Sequence, residues 1–575
     1  MPRHQRHAVL AGVAALAAGA VYLNALENPF VYDDYRTVID NTSIARLDVY
    51  AIVVHNITRP LINLSYAVDR AVWGADPFGF HLTSVLLHMV NVILLFHLAS
   101  RLVDDWRTRT GTAARTDPDA AAFAAAALFA VHPMLTEAVG YVSGRSEVLC
   151  ATFFLAAMLA GRRWIVRGGL QWAAATFLLW LAALATKEIA AMFPIVLFAY
   201  DRLIAGGGRD AHRRRALTVH LPLVATAFAA GLARVLLYVR VERARGMAVD
   251  WRYVLLEIDV IRRYMVMMLV PRGQAIFHDV PAVDSLADPR ALVGLVAVAG
   301  LAVMAWLLRG RDGVAAFGLL WFLLLLVPSS ALVVLGQGEA MTEHRVALAS
   351  CGLFLAAGSG VGRLATRLGR DSAGVRLAAR TAFVSWLVVL GLLTVGRNRV
   401  WSSPVSLWRE AAERSPNHFR PRLLLGEALE DAGRKGEAID EYKVALARQP
   451  GEPMAYMKLG LALAGAGRLN EAAATFGELR RIDPQSASAS TGLGAVALLA
   501  GEPDRARGYF LDAIRKDPRN VSARRSLAII DEPANPAAAL QWCLEVQQLA
   551  PETPGNDECI RRNRARLAAS GSSRR

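Results

Sequence analysis

Eleven stretches of the chain are apolar along most of their length: residues 8–26, 81–103, 120–139, 146–161, 170–186, 189–204, 217–239, 291–308, 314–335, 346–361 and 382–396. Alone or with their flanks, most reach the roughly 20 residues a helix needs to cross about 30 Å of hydrocarbon. The pattern therefore predicts about eleven membrane spans. Residues 253–270 are apolar too, but Glu257, Asp259, Arg262 and Arg263 interrupt them, which predicts an interfacial or re-entrant helix. Arg3 and Arg6 precede the first run as they would in a signal peptide. Because further spans follow and no small-residue cleavage site is evident, this run reads as a retained anchor.

After residue 400 the pattern changes. Pro416, Pro450, Pro484 and Pro518 recur every 34 residues, as do Gly426, Gly460 and Gly494, and Ala438, Ala472 and Ala506. Tyr442, Phe476 and Phe510 follow those alanines by four positions. This is the tetratricopeptide period: the glycine admits a neighbouring helix, the alanine keeps the crossing close, the ring fills the groove and the proline ends the second helix. The expected organisation is a membrane domain over 1–400 with a first outward loop at 27–80, a lead-in helix at 401–418, and a repeat array over 419–554. The array comprises three full repeats and a degenerate cap, and a basic tail follows at 555–575. Such an array binds proteins or peptides and performs no chemistry, so catalysis is sought upstream.

Composition agrees with the pattern. Of 575 residues 54% are hydrophobic, and the mean hydropathy is +0.33, high for a soluble protein. The net charge of +15 belongs to the membrane half, since residues 401–575 hold 25 basic and 22 acidic side chains. The excess clusters at Arg3/Arg6, Arg101–Arg115, Arg162/Arg163/Arg167, Arg202–Arg215, Arg309/Arg311 and Arg363–Arg380, which the positive-inside rule places in the cytoplasm. The Arg240–Arg272 region departs from the alternation. No basic face interleaved with aromatics occurs in the soluble half, which argues against nucleic acid as a partner. Cys150 and Cys351 fall in spans, while Cys543 and Cys559 would be free to pair in an oxidising compartment.

With the N-terminus inside, the outward segments carry the costly ionisable groups. These are Asp33, Asp34, Arg36 and Arg59 in the first; His132, Glu137 and Arg145 in the second; Lys187 and Glu188 in the third; His278 and Asp279 in the fourth; and Glu343, His344 and Arg345 in the fifth. Acids and bases gathered on one face suit an anionic substrate at the membrane surface. Each has a plainer reading. Arg145 can snorkel at a span start, Arg59 can anchor an interfacial helix, His132 can bond a carbonyl freed by Pro133, and Lys187 and Glu188 can pair with each other. No metal-ligand spacing and no glycine-rich nucleotide loop is found.

The blocks "NPFVYDDYRTVIDN", "TRPLINLSYAVDR", "LFAVHPMLTEAVGYVSGRSEVL", "TKEIAAMFPIVLFAYD", "PSSALVVLGQGEAMTEHRVAL" and "RNRVWSSPVSLWREA" occur in this order. Together they resemble the transmembrane and tetratricopeptide-repeat O-mannosyltransferases of the glycosyltransferase C superfamily. Two blocks depart: Thr342-Glu343-His344-Arg345 stands where the family shows Ala-Glu-Arg, and "IFHDVP" is a weak form of its Leu-Ser-Asp-Tyr block. The resemblance implies an all-α fold, a polytopic helix bundle followed by an α-solenoid. It also implies transfer of a mannose-like sugar, with inversion, from a polyprenyl-phosphate donor to a protein or glycan hydroxyl, the repeats recruiting the acceptor and no cofactor or metal being required. By position in the family's acidic pair Asp33 would be the general base and Asp34 its partner. Arg145 and Arg345 would hold the donor phosphate. Arg36, Arg59, His132, Glu137, Lys187, Glu188, His278, Asp279, Glu343 and His344 would line the substrate site. A membrane scaffold without chemistry, or a glycan ligase or polymerase, are the competing readings. The high Ala, Arg and Gly content and short loops suggest a bacterial inner membrane with the site and repeats on the periplasmic side, an endoplasmic reticulum lumen being the alternative.

The alternating arginine loops generate a topology test. Reporter fusions ending near Arg209 and near Asn417 are expected to report opposite compartments; the same compartment for both would remove the single-face site.

Overall fold

The computed structural model describes residues 1–111, 116–241, 251–334, 339–369 and 371–572. Arg115 and residues 242–250 of the Arg240–Arg272 region lie outside them. Among the described residues all regular structure is helical. The chain divides into two units, Met1–Leu407 and Trp408–Arg575.

The first unit holds α1 (Arg3–Val21), α2 (Val49–His55), α3 (Pro60–Trp73), α4 (Pro77–Thr110), α5 (Pro118–Val131), α6 (Thr136–Gly140), α7 (Arg145–Arg167) and α8 (Leu170–Leu184). It continues through α9 (Phe193–Tyr200), α10 (Arg209–Arg215), α11 (Leu221–Val241), α12 (Trp251–Leu269), α13 (Pro289–Leu308), α14 (Gly313–Val334), α15 (Ala347–Leu368) and α16 (Ala373–Val400). Seven helical segments of the described residues are long and apolar enough to cross a membrane, and α5 with α6, bent by 57°, forms an eighth if counted as one span. In their described residues the apolar runs are mainly helical, but 170–186 yields the shorter helix Leu170–Leu184, the apolar segment of α14 is Gly313–Pro328, and 189–204 is divided among a 3-10 turn, α9 and a π turn. The interrupted 253–270 stretch is helical as well, with Glu257 and Asp259 buried.

Small residues let these helices approach closely, since packing rather than hydrophobicity joins helices in lipid. Gly358 and Gly362 of α15 lie against Asp117, Ala121 and Ala125 of α5, and a Cβ added at Gly352 would overlap the Gly318 carbonyl of α14. Carboxylates tie the arginine-rich ends together: Asp104 bonds Arg3 at 2.9 Å, Asp105 bonds Arg162 at 2.5 Å and Tyr200 at 2.7 Å, and Asp312 accepts from Ser359 at 2.9 Å.

The second unit is a solenoid of paired helices. They are α18 (Phe419–Asp431) with α19 (Lys435–Arg448), α20 (Pro453–Gly465) with α21 (Leu469–Ile482), and α22 (Ala487–Leu499) with α23 (Pro503–Lys516). They follow α17 (Pro404–Arg414), the expected lead-in helix. The rings of Tyr442, Phe476 and Phe510 occupy the space beside Gly426, Gly460 and Gly494. The expected degenerate cap is a complete pair, α24 (Val521–Asp531) and α25 (Pro536–Leu549), and the expected basic tail is helical as α26 (Asn556–Ser572). The tail folds because Ile560 is buried against Ala528 and Cys543, and Cys559 is joined to Cys543 by a disulfide.

The contact between α14 and α15 predicts that Gly352→Ala destabilises the membrane unit by about 1–3 kcal/mol, the usual cost of overpacking. Gly360→Ala on the same helix meets no atom within 4 Å and should be neutral or stabilising by up to about 1 kcal/mol. Thermal denaturation in detergent compares the two.

Candidate active site

Directly before the acidic pair, Tyr32 has φ of 52°, alone among the described non-glycine residues in that region, a conformation that costs energy unless its surroundings hold it. They do. Tyr32 donates its hydroxyl to Glu339 at 3.2 Å, the Asp33 amide donates to the Tyr141 hydroxyl at 3.1 Å, and Thr37 donates to the Asp33 carbonyl at 2.9 Å. The strained turn sends the two carboxylates in different directions. Asp34 is fully buried and accepts from the Ser143 amide at 2.8 Å, the Ser143 hydroxyl at 2.6 Å and the Val31 amide at 3.1 Å. Asp33 keeps a side chain 43% exposed and reaches Arg36, itself 82% exposed, at 3.5 Å. Burial pushes the Asp34 carboxyl up to about 7 against the pull of its three donors.

Ser143 is presented by the turn between α6 and α7. Gly144 is needed there because a Cβ would overlap the Glu137 carbonyl. The next residue, Arg145, does not fit the donor-phosphate role expected of it. It is fully buried, with Nη1 at 2.6 Å from Asp69, Nε donating to Ser84 at 3.1 Å and Nη2 donating to the Phe80 carbonyl at 2.5 Å, and its guanidinium lies over the Tyr66 ring. A fork so fully committed cross-links α3, α4 and α7 and leaves nothing for a ligand. Nor does it snorkel at a span start.

Deeper in the unit, two carboxylates and two histidines form one network. Glu137 of α6 accepts from the Glu343 amide at 2.8 Å and meets His344 Nδ1 at 2.6 Å; Glu343 meets His278 Nε2 at 3.0 Å and accepts from the Ala275 amide at 2.6 Å. Arg397 of α16, buried, lies within electrostatic range of both acids. His132 bonds the Met268 carbonyl at 3.1 Å and caps the Met134 amide, so it is a backbone partner, though one for a carbonyl of α12. Lys187 and Glu188 do not pair with each other. Lys187 donates to buried Glu147 at 2.7 Å, and Glu188 accepts from Arg59 at 2.9 Å. The Arg345 guanidinium donates one N–H to the Glu339 carbonyl at 2.9 Å, while its backbone amide bonds the Thr342 carbonyl. Asp279 is exposed beside the network.

Glu339 thus joins both halves: its carboxylate takes the Tyr32 hydroxyl and its carbonyl takes Arg345. Asp33, next in the chain to Tyr32, keeps a carboxylate open to solvent that can accept a proton, and the Arg345 guanidinium, half-buried, can hold an anion. Sequence reading missed Asp69, Glu147, Ser143, Glu339 and Arg397. The first four pair with residues 40 to 307 positions away, a relation that no local spacing encodes, although all five stand inside the quoted blocks.

Asp34 generates a pH prediction. Its carboxyl titrates higher folded than unfolded, so its stabilising contribution is complete below about pH 4 and is lost as the pH rises through about 7. Asp34→Asn removes this titration. In detergent melts between pH 5 and 8 the variant is expected to show a shallower decline than the wild type; equal slopes would place the ionisation elsewhere.

The tetratricopeptide repeat family matches residues 405–453, 457–521 and 500–554. The human protein O-mannosyl-transferase TMTC1 is 25% identical over 513 residues, 76% of this chain and 55% of that protein. Tmtc1 of Drosophila melanogaster, also a protein O-mannosyl-transferase, is 36% identical over 203 residues, 32% of this chain and 22% of its own length. Drosophila protein O-mannosyl-transferase Tmtc2 is 32% identical over 227 residues, 36% and 23% respectively. The matches span about half the length of these curated relatives at most. The chain is thus similar to the protein O-mannosyl-transferases of the TMTC type, and its C-terminal residues match the tetratricopeptide repeat family.

Proposed function

We propose that the protein is an inverting membrane glycosyltransferase that moves a mannose-like sugar from a polyprenyl-phosphate donor to a protein hydroxyl recruited by its repeats, on the non-cytoplasmic side of the membrane. The observation that supports this reading is Glu339, whose carboxylate takes the hydroxyl of Tyr32, the chain neighbour of Asp33, while its carbonyl takes Arg345. The donor is already activated, so the site must deprotonate the acceptor, align it and stabilise the leaving phosphate. Asp33 takes the proton of the acceptor hydroxyl. The acceptor oxygen bonds the anomeric carbon from the face opposite the phosphate, and the carbon–oxygen bond to the phosphate breaks with its electron pair leaving on polyprenyl phosphate. Arg345 offers that phosphate its unengaged N–H groups. Asp34 is a positioning residue, fixing the loop through Ser143. The Glu137–Glu343 network with His278 and His344 holds the turn that carries Arg345.

A glycan acceptor or a non-catalytic scaffold remain outcomes of the test. Purified protein with labelled polyprenyl-phosphate sugars and acceptor peptides should show transfer. Asp33→Asn should lower it by about a hundred- to ten-thousand-fold, the usual effect of losing a general base, while donor binding persists. Near-normal turnover in that variant would discard the assignment.

A further inference from the structure

The first third of α16 stands off from its neighbours. Its buried residues, Leu390, Gly391, Thr394, Arg397 and Asn398, all fall in the C-terminal part, whereas Leu377 and Val384 are exposed. Between this free portion, the starts of α1 and α5 and the end of α15 lies a cleft of about 560 Å³. Its walls are apolar, with Leu10, Phe123, Val361, Leu364, Phe383 and Val384, and its charged rim carries Arg6, Arg376, Arg380, Asp117 and Asp119.

The two acids are already engaged. Asp119 pairs with His7 at 2.8 Å and with Arg6 at 3.1 Å, and Asp117 caps α5 through the amides of Asp119 and Ala120. Arg376 gives one N–H to the Asp371 carbonyl, and Arg380, one turn further along α16, has no hydrogen-bond or ion-pair partner among the described residues. The rim is therefore cationic towards anything that enters. An apolar cleft bordered by spans is filled by hydrocarbon in a bilayer, because a dry void forfeits contacts on every wall. A guanidinium pair at its mouth selects a phosphate.

We propose that this cleft binds one anionic phospholipid, its phosphate held by Arg376 and Arg380 and an acyl chain lying along Phe123, Leu364 and Phe383. The site is distinct from the acidic network. The chain of α15 runs from one to the other, 22 residues or about 33 Å at 1.5 Å per residue, and α16 starts at the cleft and carries Arg397 in its last turn. The lipid fills the gap beneath the helix that brings Arg397 to Glu137 and Glu343. This inference does not depend on the sugar-transfer reading.

Native mass spectrometry of the full chain in detergent tests it, with phosphatidylglycerol, phosphatidylcholine and inorganic phosphate as the three probes. One phosphatidylglycerol per chain should be retained in preference to phosphatidylcholine. R376Q/R380Q should weaken retention by about thirtyfold, from the contribution of each arginine to anionic-lipid binding. Leu364→Trp, which fills the cleft and keeps both arginines, should also evict the lipid, and it decides the matter if the double variant does not fold. Equal retention of both lipids, unchanged retention in the folded variants, or displacement of the lipid by millimolar inorganic phosphate would each overturn the proposal.

Discussion

A helix that breaks at membrane depth must find partners for the backbone groups it frees, since no water is there to take them. The break between α5 and α6, at His132 and Pro133, sets that demand, and the membrane unit is arranged around meeting it. Thr394 of α16 donates to the Val131 carbonyl at 2.6 Å and Gln274 donates to the Pro133 carbonyl at 2.8 Å. Gln274 also donates to Glu343, at 3.2 Å. Gln274 thereby ties the break to the acidic network, the short α6 that follows delivers Glu137 to that network, and the turn after α6 delivers Ser143 to Asp34.

The buried charges follow the same economy. Arg145 with Asp69, Lys187 with Glu147 and Asp34 with its three donors are each neutralised or solvated by protein, as burial demands. The consequence is a site in which rigidity and reactivity are assigned to different residues. The frame is made of buried, paired ions, and groups nearer the surface, Asp33 and Arg345 among them, keep capacity for a ligand. Replacing one frame ion would leave its partner charged and dry, so damage there reads as misfolding rather than as altered chemistry.

Hydropathy and the 34-residue period made the architecture legible, because both depend on local repetition: apolar length for the spans, and the Gly–ring spacing for the solenoid. That the basic tail is helical was not legible, since its 561–566 arginines conceal Ile560, which is buried in a cluster with Cys543. The site was half legible. Sequence put Glu137, Glu343, His278 and His344, which the structure joins in one network, on one list, and the resemblance ranked Asp33 above Asp34. It could not separate a guanidinium that cross-links helices from one that is half-buried with a single side-chain bond: Arg145 and Arg345 sit in similar-looking blocks, and the distant Asp69 and Ser84 distinguish them.

The glycine–ring contacts of the solenoid carry a consequence for how such arrays change over time. Each of Gly426, Gly460 and Gly494 is matched to a ring within its own repeat, and every repeat meets its neighbour through an equivalent face. Whole 34-residue units can then be duplicated or deleted with the remaining interfaces chemically unaltered. Copy number becomes a trait that varies independently of the membrane unit, and the reach of the solenoid can drift while the frame around the acidic pair stays constant.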